Sequence, residues 1–276
     1  TATGLKNAQS GTLNVQAFDP SKLSANGQEG QAVTIIDRIP YFVAAAATII
    51  LWLTIFSGSY MLLTSMLEEK LNKLLEMMLA STRFSEIIFG KLLGVAALTI
   101  TAMLPYLLIG FGAAILMMLG GTPEMMAQFT AAFTPKLIIF FFIFLALGYV
   151  FYGAFFVALG ALAESMQDAQ TLTTPIMLVL TACILVVPLG LNSPDSPLLT
   201  FASWFPLSAP FAAIMRLPLD PPWWELALSA GFLFLLSLGV IWLAGRIFQY
   251  GVLSGSGVKG VSSWIKRVIF RRKAEG

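Results

Sequence analysis

The side chains best suited to chemistry are concentrated between residues 67 and 82, a strongly charged stretch that lies between long apolar runs. Its apolar residues recur every three or four positions, which predicts one face of an α-helix, and its charged residues take the other face. Glu69 and Lys73 stand four positions apart with the acid first, an order that stabilises a helix by about 0.2–0.5 kcal/mol. Two interpretations remain open from the pattern: an amphipathic helix on the bilayer surface, or a docking helix for a partner protein.

Residues that could perform catalysis or hold a cofactor are scarce. The sequence has no histidine and one cysteine, which leaves no expected zinc or haem site, no histidine-dependent triad and no disulfide within the chain. It also contains neither the GxxxxGK[ST] phosphate loop nor the GxSxG nucleophile elbow. We therefore expect no enzyme activity and no cofactor on this chain, and we interpret Cys183 as a small buried hydrophobe.

A second polar feature is the short turn that carries Glu164 and Asp168, in the segment GALAESMQDAQTLTTP. Carboxylates at a membrane boundary can mark an ion path. They also cap helices, because a negative charge is stabilised at the positive end of the helix dipole. Asp168 lies just before an apolar run, so capping is the favoured interpretation.

A third feature is the loop from residue 192 to residue 225, which holds seven prolines around the apolar stretch 198–216. Pro206 and Pro210 are expected to divide this stretch into two short helices that dip into the outer leaflet, with Trp204 in the interfacial belt. Non-helical backbone at that depth must be shielded by protein, so the loop is expected to cap a cavity or a subunit seam. The alternative is an ordered outer loop without a functional role.

The elements that carry these features are membrane spans. The chain is 58% hydrophobic and 11% charged, against about 25% charged residues in soluble proteins, which identifies an integral membrane protein. Crossing the hydrocarbon core takes about 20 apolar residues. We predict an all-α, polytopic fold with five spans in this chain, at about 41–66, 87–119, 137–163, 172–191 and 226–245.

Orientation follows from the basic residues. If the segment 67–82 is cytoplasmic, eleven of the sixteen Lys and Arg residues fall on that side, which predicts the N-terminus outside and the C-terminus inside. Residues 1–40 then read as the end of an extracytoplasmic domain, and a further span upstream is expected, giving six in the intact protein. Residues 251–276 form a basic amphipathic tail suited to the anionic inner leaflet.

The sequence resembles the permease subunits of ABC type-2 exporters, in the group of sodium or drug efflux permeases, from about residue 33 onward. The most specific match is EEKLNKLLEMMLASTRFSEIIFGKLLG at 68–94, with support from GALAESMQDAQTLTTPIM at 160–177, FPLSAPFAAIMRL at 205–217 and WLAGRIFQYGVL at 242–253. The resemblance implies a subunit of a bacterial-type inner membrane exporter that moves a sodium ion, drug or lipid-like compound. A scaffold or sensor that binds an ATPase without transport is the alternative.

The resemblance also implies partners and site residues. It implies two copies of a separate ABC ATPase subunit that carry ATP and magnesium, a second permease copy or homologue, and the lipid bilayer, with no nucleic acid. The segment 67–82 would be the coupling helix, and the proline-rich stretch would be a pair of re-entrant helices at the extracytoplasmic exit. The implied coupling residues are Glu68, Glu69, Lys73, Leu75, Glu76, Met78, Leu79 and Ser81; the implied gate residues are Trp204, Pro206, Pro210 and Arg216; and the cytoplasmic turn contributes Glu164 and Asp168.

Overall fold

The structure, a computed structural model, describes residues 36–71 and 84–253. Every regular element in these two ranges is helical, and five helical segments are long and apolar enough to cross a membrane. The predicted all-α, polytopic membrane fold with five spans is therefore confirmed. In chain order the helices are α1 (Ile39–Leu71), α2 (Phe84–Gly120), α3 (Pro123–Ala132), α4 (Pro135–Leu162), α5 (Met166–Cys183), α6 (Val186–Asn192), α7 (Pro197–Trp204), α8 (Ala209–Met215) and α9 (Trp223–Leu253).

Helix α4 is the centre of the bundle, with α1 and α9 packed along it. Glycines allow the close approach of α1. A Cβ atom on Gly160 would lie 3.0 Å from the backbone oxygen of Leu63, and one on Gly148 would lie 2.5 Å from Cδ1 of Ile55. Small residues at helix contacts are the usual way to bring backbones together in lipid, where dispersion rather than the hydrophobic effect holds helices.

The fourth span is divided into α5 and α6, whereas the sequence predicted one run from 172 to 191. Pro188 explains the break, because it has no N–H to donate and its ring excludes the carbonyl four residues earlier. The chain therefore tightens one turn before it. The N–H of Leu185 donates to Ala182 (3.1 Å) and that of Val187 to Ile184 (3.0 Å), a 3₁₀ pattern between the two helices.

The carbonyl of Leu180 bonds to a side chain at this break. The N–H of Ile184, which would reach Leu180 in a continuous α-helix, donates to Thr181 instead (3.2 Å). Trp52 of α1 donates its indole N–H to the Leu180 oxygen at 2.7 Å. The break in the fourth span is thus tied to α1 by a hydrogen bond between distant parts of the chain.

Contacts between distant residues fix which helix ends lie together. Arg38, just before α1, donates to the carbonyl of Leu191 near the end of α6 (3.4 Å). Lys70, near the end of α1, donates to the carbonyl of Ala163, just past α4 (2.8 Å). We call the end of the bundle where α4 begins, at Pro135, the Pro135 end, and the opposite end the Lys70 end.

The first span ends later than the sequence predicted. Helix α1 does not end near residue 66 but continues to Leu71, so the first residues of the predicted coupling helix prolong the first span. The following predicted features lie outside the described residues: the segment 1–35, the coupling residues Lys73, Leu75, Glu76, Met78, Leu79 and Ser81, and the tail beyond residue 253.

Candidate functional site

Helices α7 and α8 form a hairpin whose ends and turn are encoded locally. The hydroxyl of Ser196 accepts from the N–H of Leu198 at the start of α7 (3.3 Å), and Pro197 stands at the first helical position, which suits its fixed backbone angle. At the turn, Ser208 donates its hydroxyl to the carbonyl of Ala202 (2.8 Å). Pro210 stands in the first turn of α8. The chain therefore reverses between Phe205 and Ser208.

Helix α8 is buried inside the bundle along its whole length. All seven of its residues, Ala209–Met215, are buried, and it contacts α1, α4, α6, α7 and α9. Helix α7 is only partly covered, with Leu198, Phe201 and Trp204 exposed. The hairpin thus has one helix in the protein interior and one at its edge.

The turn of the hairpin reaches the middle of α4. Tyr152 donates its hydroxyl to the carbonyl of Leu207 in the turn (2.7 Å), and Cγ of Pro210 lies 3.4 Å from the Cβ position of Gly148. At 1.5 Å per residue, Gly148 lies about 20 Å and Tyr152 about 25 Å from Pro135, in a helix about 42 Å long. The turn of the hairpin therefore lies about halfway along α4.

A buried polar network holds the base of the hairpin at the Pro135 end. The Arg216 guanidinium donates through one nitrogen to the carboxylate of Glu225 and to the hydroxyl of Ser203 (2.6 Å for the latter). Ser229 donates to the backbone oxygen of Ser203 at 2.6 Å. The side chains of Arg216 and Glu225 are 11% and 14% exposed. The network therefore joins α7, the end of α8 and the start of α9.

The predicted gate residues thus separate into two groups. Pro206, Pro210 and Arg216 are buried, whereas Trp204 is 38% exposed at the end of α7. Ser203, Glu225 and Tyr152 were not predicted as site residues from the sequence. A carboxylate in the same proline-rich loop as Arg216 was the available signal for Glu225, because a buried cation requires a counter-charge.

At the Lys70 end, Lys70 closes the end of α4. Its ammonium donates to the carbonyls of Ala161 (2.7 Å) and Ala163 (2.8 Å), two of the acceptors that the last turn of a helix leaves without intrahelical partners. A cation there is also favoured by the helix dipole. Lys70 therefore fastens the end of α1 to the end of α4.

The turn after α4 begins the fourth span by reciprocal capping. The hydroxyl of Ser165 accepts from the N–H of Asp168 (3.1 Å), and the carboxylate of Asp168 accepts from the N–H of Glu164 (3.0 Å). Glu164 itself is exposed. The N-cap residue is thus Ser165, and Asp168 lies in the first turn of α5 rather than just before the helix, where its carboxylate still caps a backbone N–H.

Two residues of the predicted coupling helix are described. Glu68 is exposed and Glu69 is half-buried, one turn from the end of α1. Leu67 beside them is fully buried, packed with Leu63 of α1 and Phe156 of α4. The beginning of the predicted coupling segment is thus anchored in the bundle, with one acidic side chain in solvent.

Helix α1 contacts several parts of this arrangement. It packs against α8, where its Thr48 hydroxyl, which donates to the carbonyl of Ala44 in its own helix (2.8 Å), lies 3.5 Å from the carbonyl oxygen of Phe211. Its Trp52 donates to the break in the fourth span, and its Lys70 donates to the carbonyls at the end of α4. It is one continuous helix of 33 residues, about 50 Å long at 1.5 Å per residue. Its contacts therefore extend from the hairpin to the Lys70 end.

Replacing Lys70 with methionine is expected to lower the free energy of unfolding by about 1–2 kcal/mol, because two buried carbonyls lose a charged donor. SDS titration of the purified protein, followed by circular dichroism, measures this. Lys70→Arg keeps the charge and donors and should recover most of the loss. Equal stability of the methionine and wild-type proteins would contradict the capping role.

Comparison with known proteins identifies the family of this chain. Residues 4–246 match the family described as ABC-2 family transporter protein. Among curated proteins, the chain is 26% identical over 226 residues to the uncharacterized protein YhaP of Bacillus subtilis, covering 79% of this chain and 52% of the relative. It is 26% identical over 205 residues to the uncharacterized protein MJ1024 of Methanocaldococcus jannaschii, covering 74% and 48%. No solved structure matches.

The chain spans about half the length of these curated relatives. The family match, by contrast, covers nearly all of the chain, including the five apolar segments and the hairpin. The chain therefore belongs to the ABC-2 family of transporter proteins, as a membrane permease component.

Proposed function

We propose that this chain is the transmembrane subunit of an ATP-driven exporter that moves a substrate out of the cytoplasm with energy from a separate ATPase subunit. The observation that carries the proposal is the continuity of α1, whose contacts extend from the buried hairpin to the Lys70 end. A device that converts ATPase movement into movement of a gate requires such a connection. The match to the ABC-2 family of transporter proteins supports the proposal.

The ATPase contact in this proposal is the segment 67–82, the coupling helix. Leu67 is fully buried and Lys70 is hydrogen-bonded to α4, so a push on the residues that follow would move α1 and α4 together. Exposed Glu68 offers a polar contact to the ATPase. Lys73, Leu75, Glu76, Met78, Leu79 and Ser81 complete the proposed contact surface.

The gate in this proposal is the α7–α8 hairpin at the Pro135 end. Its turn is held by Tyr152 and its base by Arg216, and its second helix packs against α1. Non-helical backbone in the middle of a membrane is tolerated only where protein or a water-filled cavity surrounds it, and such segments commonly form gates and substrate sites. The exporter would open by moving this hairpin relative to α4.

Orientation and assembly complete the proposal. The Pro135 end would face outside and the Lys70 end the cytoplasm, in a bacterial-type inner membrane. Two ATPase subunits would bind ATP and magnesium, and a second copy of this permease or a homologue would complete the complex. The cargo would be a sodium ion, a drug or a lipid-like compound.

Reconstitution with the partner ATPase in vesicles tests the function. We expect export that requires ATP and is lost when the catalytic residue of the ATPase is replaced, together with ATP hydrolysis stimulated by the cargo. Sodium flux, dye extrusion and lipid transfer distinguish the three cargo classes. ATPase binding without export of any of the three would instead support a scaffold or sensor.

Charge reversal at the coupling segment should weaken ATPase binding. The variant Glu68→Lys/Glu76→Lys is expected to lower co-purification of the ATPase by about tenfold or more, since like charges facing each other across an interface cost several kcal/mol. Pull-down from detergent extracts measures it. The matched control is Glu124→Lys, which reverses the charge of an exposed acidic residue in α3. Unchanged binding by the double variant would contradict the docking role.

A further inference from the structure

A cavity of about 400 Å³ opens at the Pro135 end, where α1, α3, α4 and α9 meet. It is separate from the Arg216 network. Its walls are mostly apolar and are formed in part by Pro40, Ala44, Leu137, Leu217 and Trp223. A volume of this size lies in the range of small-molecule sites, about 300–1,000 Å³.

One buried cation, Lys136, reaches this cavity. Its side chain is 8% exposed, and its ammonium donates to the carboxylate of Asp220 (2.6 Å) and to the carbonyl of Pro221. It also lies 5.6 Å from the ring centroid of Trp223. An ammonium has three donors, so one more can be directed to a ligand.

The counter-charge of Lys136 is Asp220, which has an unusual backbone conformation and an exposed side chain. Asp220 has a left-handed backbone (φ 48°), and its side chain is 87% exposed. A left-handed conformation disfavours a residue with a Cβ atom, although aspartate tolerates it better than most. The exposed carboxylate can turn to water once another anion takes its place on Lys136, whereas the buried ammonium cannot move out with it.

We propose that this cavity binds an amphipathic anion, whose charged head replaces Asp220 on Lys136 and whose apolar part lies against Leu137, Leu217 and Trp223. Asp220 acts as a tethered competitor that neutralises Lys136 when the site is empty of ligand. The same chemistry occurs in a free fatty-acid-like compound and in the head of an anionic bilayer lipid. This site goes beyond the proposed export function and does not depend on it.

An amphipathic cation fits the same cavity poorly. Its head would bind Asp220, but that carboxylate already lies 2.6 Å from the Lys136 ammonium, so the two positive charges would be neighbours. Like charges that close repel strongly where water is partly excluded. The sign of the ligand charge therefore distinguishes the proposed site from nonspecific apolar binding.

Quenching of tryptophan fluorescence by brominated amphiphiles tests the proposal, because Trp223 lines the cavity. The purified protein in neutral phosphatidylcholine nanodiscs is titrated with 11-bromoundecanoate and with 11-bromoundecyltrimethylammonium. A second arm uses nanodiscs that contain brominated phosphatidylglycerol. Trp223→Phe identifies the part of the signal that comes from the cavity.

We expect saturable quenching by an anionic probe that Trp223→Phe removes. Lys136→Gln should weaken it about tenfold or more, and Asp220→Asn, which removes the competitor, should strengthen it by about two- to fivefold. Saturation by the free acid identifies a soluble ligand, and saturation by phosphatidylglycerol identifies a bilayer lipid; either supports the site. Equal quenching by the cationic and anionic probes would overturn the proposal. Weaker anion binding in Asp220→Asn would also overturn it, and this test does not require the Lys136→Gln protein to fold.

Discussion

Replacing Glu225 with alanine is expected to destabilise the protein by about 3–5 kcal/mol, the usual cost of breaking a buried ion pair by removing one partner. The reason is the environment of Arg216. Its side chain is only 11% exposed, and of its partners Ser203 is a neutral hydroxyl, so without Glu225 a cation stays buried against a dipole alone. SDS titration of the purified protein measures the change in the free energy of unfolding.

Two variants separate this effect from a general loss of a carboxylate. Glu124→Ala removes an exposed acid at the same end of the bundle and should change stability by less than about 0.5 kcal/mol. The double variant Arg216→Met/Glu225→Met removes both charges and should recover most of the stability, because apolar side chains replace buried ion pairs at little cost. A double variant as unstable as Glu225→Ala would show that the pair is not the cause.

The double variant also tests the proposed gate. If the network fixes the base of the hairpin during export, the stable double variant should retain ATPase binding but lose most cargo movement. The reason is that apolar contacts, unlike the bonds from Arg216 to Glu225 and Ser203, do not define one position of α8 relative to α9. Full export by the double variant would limit the network to a folding role.

The spans and the hairpin were predictable from the sequence because they depend on local information. Twenty apolar residues can satisfy their backbone in lipid only as a helix, so hydropathy alone identified the five spans. Pro206 and Pro210 likewise predicted two short helices. The division of the fourth span was also encoded, by Pro188, but the apolar run around it outweighed that signal.

The site geometry could not be predicted in the same way, because it depends on residues far apart in the chain. Local spacing assigns Lys70 no partner, yet it caps α4, ninety-one residues away. Tyr152 and Leu207 are fifty-five residues apart, and their contact sets the depth of the hairpin. No local periodicity reports such pairs, and each depends on how closely α1 and the hairpin approach α4.

Glycine sets part of that approach. A GxxxG spacing such as that of Gly90 and Gly94 favours close helix packing, but among the described residues no atom lies within 4 Å of a Cβ built on either. Close contacts occur instead at Gly58, Gly148, Gly160 and Gly190, and the two in α4 face α1. A small-residue spacing shows that another helix could pack closely at that position. Whether one does depends on the arrangement of the neighbouring helices.

Replacing Gly160 with leucine is therefore expected to lower the free energy of unfolding by at least about 2 kcal/mol. The new Cβ would lie 3.0 Å from the backbone oxygen of Leu63 and 3.2 Å from Cβ of Met66, and neither atom can rotate away. Helix α1 would have to move off α4 close to Lys70. SDS titration measures the loss, and the distance of Lys70 from α4 can be followed by cross-linking cysteines placed at the two helix ends in a Cys183→Ala background.

Gly239→Leu is the matched control, because no atom lies within 4 Å of its Cβ position in α9 and leucine is the better helix former. It should be neutral or stabilise by about 0.5–1 kcal/mol. If α1 transmits ATPase movement to the hairpin, Gly160→Leu should also reduce cargo-stimulated ATP hydrolysis more than its instability explains, and Gly239→Leu should not. Normal stimulation in folded Gly160→Leu protein would mean that the tight α1–α4 contact serves the fold alone and that ATPase movement reaches the hairpin by another route.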